Sequence, residues 1–338
     1  MWRAAIVVLT IMLVACHHQT GSIRPESWKA YRDSFISADG RVIDNANGNI
    51  SHSEGQGYAM LLAVAADDRK AFDRLWHWTA KHLAIRPDGL LAWKWVPGTN
   101  NPVPDSNNAT DGDILVAWAL GRASRQFGEE VYGEAATAMA KAIRSRLARN
   151  SEYGVLLLPG AEGFESDTGV VVNPSYMILP AYRELALWDA PQFWKRLENE
   201  NRRFLNVVIQ HFNGLPPDWL MLSDKQMGRA SNADLKFGYD ALRLPLYVCW
   251  QGDETQVSLA GIAQRWHSAT APAWISLDSD TVSKTPLTNA HLAMRWLLAQ
   301  CLPQREWSAI PQLPAKTDDY YGATLKLLAT LAWSERND

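Results

Sequence analysis

Three short stretches put carboxylates where chemistry could use them. Residues 51–68 read SHSEGQGYAMLLAVAADD, with Glu54 the one acid in a polar, glycine-rich lead-in to an apolar helical pattern. Residues 107–113 read NNATDGD and open a second such pattern, with Asp111 and Asp113 on either side of Gly112. Residues 237–245 read FGYDALRLP, with Asp240 inside an apolar helical run and Arg243 one turn on. Two carboxylates kept in opposite environments, one protonated and one ionised, are what general acid–base hydrolysis needs. Each acid also has an ordinary explanation. Acids at helix N-termini complement the macrodipole, and Thr110 or Asp111 can cap the second helix. Asp240 with Arg243 reads equally well as a structural ion pair, because a buried acid needs a partner. All three have glycine or aromatic neighbours, and together they fit a glycan-cleaving site better than three separate structural uses.

The elements that must hold these acids are helices. Ser53 and Gln56 match a capping box, which places Glu54 in a first turn. Gly55 and Gly57 weaken that turn, and the expectation is that they let a ligand approach the backbone closely. Helical periodicity recurs over 26–36, 54–66, 70–83, 111–126, 130–148, 174–187, 191–212, 235–250, 255–267, 287–299 and 318–334. Pro191 suits a first turn, Thr317 or Asp318 can cap the last helix, and Pro180 and Pro245 should kink or divide their helices. Strand signals are scarce. The best, 155–158 and 170–172, are expected to form one small hairpin. The fold class is all-α in a single domain, and periodicity alone leaves a closed ring of helical hairpins, a stack and a superhelix open.

With 338 residues, 47% of them hydrophobic, and a net charge of −3, the chain can bury a large core. It is too near neutral for a nucleic-acid binder. Sixteen tryptophans in such a chain suggest carbohydrate, since indole faces stack on sugar rings. Residues 1–16, MWRAAIVVLTIMLVAC, have the length and character of an export signal. LVAC at 13–16 resembles a lipobox that would lipidate Cys16; plain signal cleavage nearby is the other reading. Residues 17–24 would then be a tether and 25–338 the domain, with a periplasmic or secreted location. Cys249 and Cys301 are open to pairing or to remaining free thiols. His17 and His18 belong to the tether and the other histidines lack ligand spacing, so no metal or cofactor is expected.

The stretches SEGQGYAM, NNATDGDILVAWAL, NPSYMILPAYREL and FGYDALRLPLY resemble, in order and spacing, the motifs of glycoside hydrolase family 8. The resemblance is greatest to the periplasmic endoglucanases encoded with bacterial cellulose synthase. It runs from about Trp28 to the last helix. Val116 stands where the family usually has Ile or Met, a core position. The resemblance implies an (α/α)6 barrel with an open cleft, acting as a monomer in endo-hydrolysis of β-1,4-glucan with inversion, in association with cellulose synthesis. It implies Glu54 as general acid, Asp240 as an ionised base, and Asp111 as the residue that holds the distorted sugar and tunes Glu54. Trp93, in LLAWKW, matches a stacking tryptophan, and Tyr176, Tyr239 and Arg243 match substrate-binding residues. Xylan and chitosan are alternative substrates on the same scaffold. A non-catalytic glycan-binding protein would have no reason to keep all three acids.

Overall fold

The computed structural model describes residues 23–223, 226–231, 233–302, 307, 311–314 and 319–337. Among them are eleven α-helices: α1 (Pro25–Phe35), α2 (Ser53–Ala65), α3 (Arg69–His82), α4 (Thr110–Phe127), α5 (Glu130–Leu147) and α6 (Leu179–Leu185), followed by α7 (Pro191–His211), α8 (Leu244–Gln251), α9 (Ala260–Arg265), α10 (Asn289–Cys301) and α11 (Tyr320–Asn337). Helix α2 packs on α4, α4 on α6, α6 on α8, α8 on α10 and α11, and α11 on both α10 and α2, which closes a ring. Five more lie outside it, α1 on α11, α3 on α2, α5 on α4, α7 on α6 and α9 on α10. The closed ring of six inner helices is that of an (α/α)6 barrel, of whose six outer helices five lie among the described residues.

Sequence explains which helices go inside. The outer helices α3 and α7 bury a single stripe, Phe72, Leu75 and Trp78 in one and Trp194, Leu197, Phe204, Leu205 and Val208 in the other. The inner α2 is buried all round, with Glu54 its only residue left partly open. Tyr31 Oη and Thr324 Oγ1, 3.0 Å apart, tie α1 to α11. A disulfide between Cys249 and Cys301, Cα atoms 6.0 Å apart, joins α8 to α10 and settles the pairing that composition left open.

Several local expectations are corrected. The two strand signals do not pair with each other. Instead β3 (Ala148–Ser151) pairs with β4 (Gly154–Leu157), because the end of the 130–148 pattern leaves the helix and turns at Gly154. Strand β6 (Gly169–Val172) joins a four-stranded antiparallel sheet in the order β5 (Glu165–Ser166), β6, β7 (Leu220–Ser223), β8 (Gln226–Gly228). Two further pairs, β1 (Ser51–His52) with β2 (Lys94–Trp95) and β9 (Lys236–Phe237) with β10 (Ile275–Ser276), fasten loops at the barrel end. Pro180 and Pro245 start helices rather than kink them, each in the first turn where the missing N–H costs nothing. The 174–187 and 235–250 patterns are therefore each a 3₁₀ turn followed by a short helix. The proposed caps Thr317 and Asp318 lie outside the described residues, as do residues 1–22, on which the expected export signal (1–16) and most of the expected tether (17–24) fall; Asp319 Oδ1 accepts the Gly322 N–H at 2.7 Å at the start of α11. No described helix is long and apolar enough to cross a membrane.

Candidate active site

A groove crosses one end of the barrel. Its lining contains Glu54, Trp93, Asp111, Tyr176, Tyr239, Asp240 and Arg243, so all seven residues singled out by sequence come together, along with Asp44, His52, Tyr320 and Tyr321.

Glu54 sits at the second position of α2. The cap is His52 rather than Ser53: its Nδ1 accepts the Gly55 N–H at 3.0 Å. Gln56 points away from the cap, accepting from the Val42 N–H at 2.6 Å and donating to Gly40 O and Thr79 Oγ1. The glycines do not clear space for a ligand. A Cβ at Gly55 would lie 2.7 Å from Tyr320 Oη, one at Gly57 2.6 Å from Leu115 Cβ, and one at Gly112 2.0 Å from Ser53 Oγ. They let α2, α4 and α11 approach each other, which brings Glu54 and Asp111 side by side. The β1–β2 pairing and the Ser53 N–H to Trp93 O bond of 3.0 Å hold Trp93 against the same helix start.

Asp111 occupies the second position of α4 and is buried. The first turn is fastened by Thr110, whose Oγ1 donates to Leu158 O at 2.6 Å, and not by a capping side chain of its own. Asp113 does not face the groove chemistry. Its Oδ1 accepts the Leu91 N–H and its Oδ2 the Asn108 amide, both at 2.8 Å, so it staples two loops together.

Asp240 is not inside a helix, as its apolar surroundings suggested, but in the turn that precedes the 3₁₀ segment Ala241–Arg243. Arg243 is the centre of the site. Buried to 3% exposure, it donates from Nη1 to Glu54 Oε1, approaches Asp111 Oδ2 at 3.4 Å from the same nitrogen, and donates from Nη2 to Asp240 Oδ1 at 2.9 Å. The sequence pointed to its pairing with Asp240 alone. Its Nη2 also donates to Ser175 Oγ at 3.0 Å, which in turn donates to Asn173 Oδ1 at 2.7 Å. That bond fixes the Asn173 amide so that its buried Nδ2 faces Asp240 without reaching full hydrogen-bond geometry. The Tyr176 ring lies beneath the guanidinium, 5.6 Å away.

These surroundings push the carboxyls of Asp111 and Asp240 in the same direction, upward. Burial first, then the charge of Glu54, push the Asp111 carboxyl up to about 8, with Arg243 pulling the other way. The Asp240 carboxyl is closely surrounded although its side chain is 31% exposed along the groove. It is raised overall: burial, with the charge of Glu54, outweighs Arg243 and the donors on Trp219 and Asn173, which favour the charged form. Tyr176 and Tyr321 are held well above the ordinary tyrosine value by burial and remain neutral donors. His52 is raised: burial disfavours its charge, but Asp44, Glu54 and Asp111 together outweigh that.

Aromatic surface continues the groove. Phe164 and Trp219 stack at 5.8 Å, and Trp219 meets the Tyr176 edge at 5.9 Å. Trp93 is oriented by its Nε1–H bond of 2.8 Å to Asp105, with Lys94 over its ring. Tyr321 Oη donates to Tyr239 O at 2.9 Å. Sequence reasoning missed Asn173, Ser175, His52 and Asp218; the Asn-Pro turn signal at 173–174 could have flagged the first, and loop positions without periodicity hid the last. Among the described residues, no group of three or more His, Cys, Asp and Glu side chains is placed to hold a metal ion.

The profile of Glycosyl hydrolases family 8 matches residues 2–335. An endoglucanase of Cellulomonas uda is 36% identical over 296 residues, 86% of this chain and 81% of its own length. A probable endoglucanase of Novacetimonas hansenii is 34% identical over 92% of this chain and 91% of its own. Among solved structures, an endo-β-1,4-glucanase from Acetobacter xylinum superposes with a TM-score of 0.85 at 33% identity, covering 93% of this chain and 98% of that one. A likeness of this extent at 30–40% identity, together with a profile spanning almost every residue, leaves one assignment: the chain is a member of glycosyl hydrolase family 8.

Proposed function

We propose that the protein is an endo-acting β-1,4-glucanase that cleaves with inversion. One observation carries the chemistry: Glu54, Asp111 and Asp240, brought from three distant segments, surround the single guanidinium of Arg243 in an open groove. The endoglucanase names of the relatives support glucan as substrate. In the proposed reaction Glu54 donates its proton to the glycosidic oxygen as the C1–O bond breaks. Asp240 accepts a proton from the water that attacks C1 from the opposite face, so a β-linkage yields an α-anomer. Asp111, buried and holding a proton near neutral pH, lies beside Glu54 and can keep the acid supplied while hydrogen-bonding the sugar at the cleavage point. Trp93 stacks on one sugar, and Tyr176, Tyr239 and Arg243 hold its neighbours. An open groove accepts a chain at any point along its length, which is what endo-cleavage requires.

The same proposal places the protein outside the cytoplasm, exported by residues 1–16, with Cys16 lipidated and 17–24 as tether, and at work as a monomer beside cellulose synthesis. The disulfide supports export, since such bonds persist in oxidising compartments. The test is reducing-end release with product lengths from carboxymethylcellulose, xylan and chitosan in parallel, and NMR of the fresh product. Carboxymethylcellulose should be cut internally and the α-anomer should appear first. Glu54→Gln and Asp240→Asn should each lose on the order of 10²–10⁴ in rate while still binding glucan. An initial β-anomer, or a clear preference for xylan or chitosan, would refute the corresponding part.

A further inference from the structure

Asp240 has little of its own to hold it in place. It sits on an irregular turn, and its carboxyl is fixed mainly through Arg243, which also serves Glu54 and Asp111. The backbone beneath it is held by a residue from another segment. Asp218, between α7 and β7, is 2% exposed. Its Oδ1 accepts three main-chain N–H groups of the Asp240 turn: Gly238 at 3.0 Å, Asp240 itself at 3.1 Å and Ala241 at 2.8 Å. The Asp218 N–H donates back to Lys236 O at 2.7 Å, so the two segments are laced in both directions. Convergent backbone N–H groups make a nest for a carboxyl oxygen, and here they favour its ionised form against burial and the charge of Asp240, which raise the Asp218 carboxyl to about 7. Gly238 is part of the device: a Cβ there would lie 2.6 Å from Asp218 Oδ2, so a side chain at 238 would push the carboxylate off the turn.

We infer that Asp218 is the positioning residue for the base, setting where Asp240 stands relative to the attacking water and to Arg243. It touches no substrate and acts through the main chain of residues 238–241. This rests on the assignment of Asp240 as base, and the test separates the two. In purified full chain, wild-type activity with an inactive Asp240→Asn variant establishes the base. Asp218→Ala should then lower kcat by roughly 10²-fold, the cost of a misplacement of about 1 Å, with KM within about twofold. Asp218→Asn keeps an oxygen acceptor toward the turn and should recover kcat to within about tenfold of wild type. On an aryl β-cellooligoside with a good leaving group, the Glu54→Gln loss should shrink, because less acid help is needed, whereas the Asp218→Ala loss should persist as it does for Asp240→Asn. A kcat for Asp218→Ala near wild type would overturn the inference. So would a loss that the activated substrate repairs. Should Asp218→Ala lack a cooperative unfolding transition, Gly238→Ala decides: kcat should fall about tenfold or more at unchanged KM, and a wild-type kcat overturns the proposal. Full activity in Asp240→Asn would remove the base assignment, and this inference with it.

Discussion

The glycine between Asp111 and Asp113 sets how closely the two acid-bearing helix starts can lie, and Gly112→Ala measures it. A methyl group at that position would fall 2.0 Å from Ser53 Oγ, 2.6 Å from Ser53 Cβ and 2.8 Å from Glu54 N. Carbon contacts settle at about 3.5–4.0 Å, so the starts of α2 and α4 must part by roughly 1 Å. Overpacking of this kind costs about 1–3 kcal/mol, and the better helix propensity of alanine returns about 1 kcal/mol. The net loss of about 0–2 kcal/mol corresponds to a fall in Tm of at most a few degrees in a domain of this size. Activity should suffer more, because Glu54 moves with the main-chain nitrogen that the methyl strikes. A displacement near 1 Å is worth about 10²-fold in kcat. Thermal unfolding and kcat on carboxymethylcellulose are the assays, with Gly228→Ala, whose methyl would meet nothing within 4 Å, as control. If Gly112→Ala matched the control in both measurements, the view that glycine sets the spacing of the acids would be wrong.

Three further outcomes are expected. Asp113 is held up to about 7 by burial, against about 3.9 for an ordinary aspartate. Between those values the unfolded chain has released a proton that the folded protein keeps, so stability falls as pH rises through the window, and Asp113→Asn should flatten the decline of Tm between about pH 4 and 7; identical slopes would contradict the raised value. Arg243→Met strips three carboxyls of their shared cation, a break worth about 3–5 kcal/mol when buried. Its surviving activity should show an acid limb moved to higher pH, because Asp240 ionises less readily, and an unmoved limb would mean that Arg243 does not govern the base. Reduction of Cys249–Cys301, which spans 52 residues, should cost about 4 kcal/mol and lower Tm by several degrees, while kcat at low temperature stays near wild type; an unchanged Tm on verified reduction would show that the bond adds nothing.

What the sequence disclosed follows from where the physics is local. Glu54 and Asp111 were legible because each stands at the polar beginning of a helix whose body is apolar all round, a contrast visible within a dozen residues. Asp240 was found but misplaced. Leu242, Leu244 and Leu246 continue a helical pattern that Pro245 in fact begins, so an irregular turn read as helix interior. The two strand signals were real, yet their partners lie elsewhere, since β6 pairs with β7 across the whole of α6 and α7. The role of the glycines was misread because their neighbours come from other helices, and no spacing rule reports that Gly112 faces Ser53. Asp218 and Asn173 were missed for the same reason: each acts on a segment remote in sequence, and neither lies in a periodic pattern.

The closing of the ring by α11 has a consequence for the order in which the molecule comes into being. Gly55 and His52, at the start of the acid-bearing helix, pack against Tyr320, and Tyr31 of α1 bonds to Thr324, 293 residues away. Contacts so distant in sequence close late and slowly, because the loop entropy must be met before they reward it. Helix pairs close in sequence can form early, but the wall beside Glu54 waits for α11, the described helix farthest along the chain from it. Hydrolytic competence is thus withheld until the ring is sealed. A chain stalled before residue 320 would carry all three acids and still lack the wall that Tyr320 and Tyr321 give the groove.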